Sequence, residues 1–365
     1  MPKAILRPYI AFPFFALLYA LIVVFTTQNP LVLATLGDRF VPTELQAFTY
    51  SEEGYDGQFG YYVARYGWEA QPYLDVPSYR AQRIALPVLG SIFALGQTNF
   101  LVWGMLATNI LAMAISIFCL GKLLAERNIS VWLTAGYALS IGVFGGTRLL
   151  TTEPLAYGLV IGAIFCFIRE RFWWGVVCLA LSALAKEMTL IFALSYGAYW
   201  LREKVWYKAI IVTIMSALPF MLWQGVLYAQ FGAFGVGSGG ALATSFEFIP
   251  LGGFLRILTE GGVGAFLVLA PILILFVLLP TFWGLWQCWR DKAWTIWTFL
   301  LFFNALLMLF VPFSTYREIL GILRFIVGLQ IAVILYATHK RQRRVLTYST
   351  LWFVTSLFVI TSDMG

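Results

Sequence analysis

Tyr55-Asp56-Gly57-Gln58-Phe59-Gly60-Tyr61-Tyr62-Val63-Ala64-Arg65 lies at the centre of a polar interval, Tyr50 to Pro87, set between hydrophobic stretches of the chain. Helical over 55–67, it gathers Tyr55, Phe59, Tyr62 and Tyr66 into an aromatic stripe and Asp56, Gly60, Ala64 and Gly67 into a neighbouring small-residue face. Asp56 then has open space beside it. Such a segment rests on a membrane surface with its aromatics in the interface and one carboxylate facing a cleft. The plainer alternative is an interfacial helix in which Asp56 merely favours the first turn.

What flanks the interval calls for a membrane. The 365 residues are 61% hydrophobic and 11% charged, with mean hydropathy +0.84, too few polar groups to cover a soluble globule. The apolar runs are long and continuous, which predicts an all-α, polytopic transmembrane fold in place of a barrel of alternating strands. About eleven spans are expected, at 8–28, 99–121, 130–146, 154–168, 172–185, 188–201, 206–230, 263–288, 293–313, 319–338 and 345–362, in a single domain covering 1–365. Those between 154 and 201 are shorter than the roughly 20 residues that cross alone, so they are expected to be tilted, broken or buried in protein.

The net charge of +7 does not point to nucleic acid, because the basic residues fall in short clusters between spans and report topology instead. With the N-terminus in the cytoplasm, the inside segments hold 15 of the 24 basic residues, from Lys3 and Arg7 to the Lys340–Arg344 cluster. Four of the 17 acids, Glu126, Glu170, Glu203 and Asp291, share that side. A miscount of one span in the middle would put the last cluster on the wrong side. The first apolar run follows Lys3 and Arg7 but is about 20 residues long and lacks a small-residue cleavage motif, so a retained span is expected. Cys119, Cys166, Cys178 and Cys288 lie in apolar runs without CxxC spacing, and His339 stands beside Lys340; neither a disulfide framework nor a histidine-based metal site is expected.

Two outside connections are long. In 29–98, Ile84 to Leu95 is apolar but too short to cross and is interrupted by Pro87 and Gly90, which predicts a juxtamembrane helix. The other, 232–262, opens Gly232-Ala233-Phe234-Gly235-Val236-Gly237-Ser238-Gly239-Gly240, and its five glycines predict a mobile loop, either a lid over a substrate or plain linker. No inverted or tandem hydropathy repeat joins the two halves, which weighs against the common secondary-transporter designs.

On this topology, charged residues gather at the outer face: Arg80 and Arg83, Arg148 and Glu153, Lys186 and Glu187, and Arg317, Glu318 and Arg324. Charge near hydrocarbon is costly and marks function by default. Arginine forks and a lysine suit a phosphate headgroup, and a carboxylate such as Asp56 suits taking a proton from an acceptor hydroxyl. The structural alternative is that Lys186 with Glu187, and Arg317 with Glu318, neutralise one another or pair locally.

Tyr55-Asp56-Gly57-Gln58-Phe59, then Ala64-Arg65, then Tyr79-Arg80-Ala81-Gln82-Arg83-Ile84-Ala85-Leu86-Pro87 is similar to bacterial members of the GT-C superfamily of integral-membrane glycosyltransferases. It resembles more distantly the GPI mannosyltransferases with their Trp-Asp-Gly pattern, and Ala185-Lys186-Glu187-Met188-Thr189 is similar to a Lys-Glu-Thr element of many members. The likeness is diffuse over residues 1 to about 200 and concentrated at 55–87. It implies an inverting transferase of the bacterial inner membrane that moves a sugar from a polyprenyl-phosphate donor to a lipid or glycan acceptor on the extracytoplasmic side. By position in the first loop, Asp56 matches the catalytic base. Arg80, Arg83, Lys186 and Arg317 match donor-phosphate contacts by type, with Tyr55, Gln58, Arg148, Glu153, Glu187, Glu318 and Arg324 in support. No Asp-x-Asp stands at Asp56, so no cofactor is implied; Glu52 and Glu53 leave a divalent metal open. The alternative class is a transporter or flippase of a lipid-linked or anionic solute.

Overall fold

The structure, a computed structural model, describes residues 7–237 and 239–364. Lys3 and Ser238, which entered the topology and the loop expectations, lie outside the described residues. Among those described, regular structure is helical throughout, apart from an isolated bridge between Gly37 and Ser51.

Five helices are long and apolar enough to cross a membrane: Pro8–Thr27, Thr98–Ala125, Trp206–Phe231, Gly262–Arg290 and Arg343–Thr361. A sixth candidate is the pair Ile319–Phe325 and Val327–His339, bent by 40°. The remaining expected spans are not long continuous helices. Glu153–Ile168, Phe172–Ala185 and Ile296–Met308 are apolar but shorter. Segment 130–146 divides into a 3-10 turn at Val131–Thr134, a helical turn at Ala135–Ala138 and a π turn at Ile141–Gly145. Its glycines account for the difference. A Cβ on Gly136 would lie 2.5 Å from the Ser349 carbonyl oxygen and one on Gly142 would lie 2.2 Å from Val327, so the segment is drawn against its neighbours where glycine also weakens the helix.

Burial separates the helices by role. Every residue from Val327 to Thr338 is buried, so this helix is apolar all round and forms a central post. The outer helices instead expose large side chains, including Phe14, Phe25, Met221 and Leu222, as lipid-facing surfaces do. Two hydrophobic cores result, one around the post and one around the helix Asp56–Tyr66 and the juxtamembrane helix Ala85–Phe93. Leu149 belongs to the first and Leu150 to the second, so the segment entering Glu153–Ile168 runs along the seam between them.

The ion pairs sort into two poles. Arg169 pairs with Glu126, and Lys340 with Asp291, all residues assigned to one side. Arg80, Arg83, Arg148, Lys186, Arg256 and Arg324 pair only with acids expected on the other side. Among the described residues, no ion pair joins the two groups.

Candidate functional site

The helix Asp56–Tyr66 begins at the acid itself, after an extended Tyr55, so the carboxylate occupies the first turn where the helix dipole favours it. Two glycines fix its place. Gly54 turns with φ +68°, a conformation side chains resist, and a Cβ on Gly57 would lie 2.1 Å from the Leu149 carbonyl oxygen. That close approach brings Asp56 beside the segment leading to Glu153. Gln58, 1% exposed, holds the turn from behind, accepting from the Gly37 N–H and donating to the Glu53 carbonyl.

Both oxygens of Asp56 are held by arginine. Arg80 Nη1 donates to Oδ1 at 2.7 Å and Arg324 Nη2 to Oδ2 at 2.5 Å. Arg80 lies in the last turn of the short helix Pro77–Ala81, grips Asp75 with Nε at 2.6 Å and Nη2 at 2.9 Å, and lies 4.1 Å from the centre of the Phe59 ring. Arg324 enters from the bend before the central post and lies 4.7 Å from the centre of the Tyr55 ring. Burial pushes the Asp56 carboxyl up, but the Arg324 and Arg80 guanidiniums outweigh it and hold the group well below the usual carboxylate range.

The other charges come from helix ends at the same level. Glu153 starts Glu153–Ile168, and Lys186 and Glu187 fill the break between Phe172–Ala185 and Leu190–Arg202. Lys186 Nζ donates to Glu153 Oε1 at 2.7 Å, and Arg324 Nη1 lies 3.6 Å from the same oxygen. Arg83 donates to Glu187 through Nε at 3.2 Å and Nη2 at 2.9 Å, and to the Tyr79 hydroxyl at 2.9 Å. Of the two forms of the structural alternative, Lys186 and Glu187 do not neutralise one another; each pairs with another nearby charge, Lys186 with Glu153 and Glu187 with Arg83.

Asp56, Gly60, Arg80, Arg83, Glu153 and Arg324 line one cavity, together with Phe59 and residues 150–152. At about 30 Å³ it has room for a single water. A Cβ on Gly60 would meet only the end of the Met105 side chain, at 3.4 Å, so the small-residue face does leave space beside Asp56. Among the described residues, no three His, Cys, Asp or Glu side chains converge on a place for a metal ion.

Other candidates lie elsewhere. Arg148 is locked to Asp363 at 2.5 Å and 2.8 Å and to the Val32 carbonyl at 2.9 Å, away from the cavity. Arg317 is exposed and donates to the Leu242 carbonyl at 3.4 Å. Arg324, seven residues on, takes the place expected for Arg317. Glu318 sits at the rim, receiving a 3.5 Å bond from the Tyr55 hydroxyl. Gln58 is a stitch of the turn, with no place in the cavity lining. Asp75 and Tyr79, which hold the two arginines of 80–83, were missed; the signal for Asp75 was an acid just before the Pro77 that starts the arginine-bearing helix.

The glycine-rich loop is held in place. Gly235 and Val236 donate N–H to Gln224 Oε1 at 2.8 Å and 3.1 Å, and Ala241 donates to Asp75 Oδ2 at 3.1 Å. A Cβ on Gly240 would lie 3.1 Å from Arg80 Nη2, so the loop passes directly over the clamp. No protein-family model, curated protein or solved structure matches the chain.

Proposed function

We propose that the chain is an inverting membrane glycosyltransferase, which takes a sugar from a polyprenyl-phosphate donor and joins it to an acceptor hydroxyl on a lipid or glycan. The observation that carries this reading is one carboxylate, Asp56, shared by two arginines at the mouth of a charged cavity. The likeness of 55–87 and 185–189 to bacterial GT-C enzymes supports it. On this reading the chain crosses a bacterial inner membrane about eleven times, with the cavity outside the cytoplasm.

Every cation of the site has a carboxylate partner, so an incoming phosphate competes for its arginines. Asp56 is the acid to give way. Its side chain is 29% exposed, against 7% for Asp75, 16% for Glu187 and 2% for Glu153. Clamped, Asp56 is a weak base. Once the donor phosphate takes Arg80 and Arg324, the carboxyl loses the charges that depress it and gains affinity for a proton. It then accepts the proton of the acceptor hydroxyl as that oxygen bonds to the anomeric carbon. The bond from that carbon to the phosphate oxygen breaks, and its electron pair leaves on polyprenyl phosphate, stabilised by Arg80, Arg83 and Arg324. The loop at Gly240 and Ala241, resting on Arg80 and Asp75, moves aside for the donor and closes again over it.

The test supplies purified, reconstituted protein with polyprenyl-phosphate sugar labelled in the sugar. Label in a new covalent product supports the proposal, and label that only crosses the bilayer makes the protein a flippase.

A further inference from the structure

The connection between the membrane-capable helices Trp206–Phe231 and Gly262–Arg290 is tied to the protein by polar bonds and turns apolar side chains outward. Glu247 N–H donates to the Phe310 carbonyl at 3.0 Å and Leu251 N–H to the Leu309 carbonyl at 2.6 Å, while Glu247 Oε1 accepts from the Phe313 N–H at 3.2 Å. The charges of 246–260 pair among themselves, Arg256 donating to Glu247 at 2.8 Å and to Glu260 at 2.7 Å. What faces away is apolar. Phe248 is 96% exposed and Ile249 71%, next to an exposed Phe246.

The helix Gly252–Glu260 carries the same pattern forward. Phe254 and Ile257 are buried, with the Phe254 ring 5.3 Å from Phe266 and 6.1 Å from Tyr316, and Leu255 and Leu258, three residues apart, form an exposed apolar face beside them. Arg256, Thr259 and Glu260 share the remaining side. The apolar arc is thus wider than the core covers, and beyond Gly262 exposed apolar residues resume at Val263, Leu267 and Val268 on the next membrane-capable helix. A lipid leaflet suits such a surface. Both ends of the connection join helices apolar enough to cross a bilayer, its charges are paired on the polar side, and large apolar side chains on an amphipathic helix seat at the boundary of headgroup and acyl chain. We infer that 246–258 is an interfacial anchor, with Phe248, Ile249, Leu255 and Leu258 inserted into the leaflet at this end of the helices. The same connection carries Gly240 and Ala241 over Arg80 and Asp75, so insertion holds that loop at the bilayer surface.

The test attaches a nitroxide to Phe248→Cys, Ile249→Cys, Leu255→Cys or Leu258→Cys in the full chain, with Cys119, Cys166, Cys178 and Cys288 replaced by alanine, in nanodiscs of phosphatidylethanolamine and phosphatidylglycerol. Collisions with oxygen, which concentrates in lipid, are compared with collisions with a water-soluble nickel chelate, and the exposed Glu52→Cys serves as the aqueous reference. The four labels are expected to favour oxygen and to read about 5–10 Å into the headgroup and acyl boundary. Labels as open to nickel as the reference overturn the anchor and place the segment in water. Labels shielded from both reagents, or coupled at short range between chains, overturn it in favour of a protein partner or a second copy. Should the cysteine-free chain fail to fold, benzoylphenylalanine in place of Phe248 in the otherwise native chain gives the same decision: photo-adducts to lipid support the anchor, and adducts only to protein, or none, overturn it.

Discussion

Two clusters of buried arginine and carboxylate stand at the same pole and differ in their surroundings. Arg148 is 4% exposed in its side chain, and all its nitrogens are spoken for by Asp363, Val32 and Thr35, with Tyr19 donating to Asp363 as well. It does not line the cavity beside Asp56. The Asp56 cluster has the same residue types, yet it borders a void and shares its most exposed acid between two arginines. Buried charge alone therefore does not mark a site. What sets the Asp56 cluster apart is a partly exposed acid shared by two arginines beside a space, where a ligand could displace it.

The sharpest way to break this contrast is Asp56→Asn. Transfer is expected to fall on the order of 10²- to 10⁴-fold, with folding and polyprenyl-phosphate binding retained. Full turnover by the purified variant removes the assignment. Arg148→Ala is its counterpart: by leaving Asp363 and two loop acceptors without their donor, it should cost about 3–5 kcal/mol of stability in an unfolding titration. The folded fraction should bind donor normally, and a selective loss of donor affinity would merge the two clusters into one site.

Arg324→Lys tests the fork itself. A lysine ammonium cannot span Asp56 and Glu153 together, so donor affinity should weaken about tenfold to a hundredfold by calorimetry. Next comes pH. Because its folded value is depressed, Asp56 stays ionised in the free enzyme, and the clamp's stabilisation is present above about pH 4 and lost only as pH falls below that. The profile of kcat/KM should then show no acid limb from this group above about pH 4, whereas kcat, which reports the donor complex, acquires one at higher pH. Coincident limbs would mean that phosphate does not displace the carboxylate. The smallest change belongs to Arg317→Ala, less than about threefold in donor affinity, because this exposed side chain reaches a loop carbonyl and the Phe313 ring and does not line the cavity.

Much of this was legible locally. The helix at Asp56 and the juxtamembrane helix at Ala85 follow from patterning and breakers, and the open space beside Asp56 follows from Gly60 sharing its face. Arg80 and Arg83 are three residues apart, and both line the cavity. Partner choice was not legible. Arg148, Arg317 and Arg324 are alike in type and in distance from hydrocarbon, yet one is a staple, one faces outward and one completes the site, according to how segment 130–148 and the bend at 325–327 pack. The long loop gave a similar lesson. Five glycines imply flexibility, but the acceptors that hold the loop, Gln224 and Asp75, come from distant parts of the chain.

Composition and charge placement by themselves determined that this protein is helical, with helices apolar enough to cross a membrane and its uncommon charged groups near helix ends. Hydrocarbon imposes that outcome on any sequence this apolar, because backbone hydrogen bonds must close locally and charge must reach an edge. Tertiary structure alone decided which charges meet. Ion pairing depends on distances of a few ångströms between residues as far apart as 56 and 324, which no local pattern encodes.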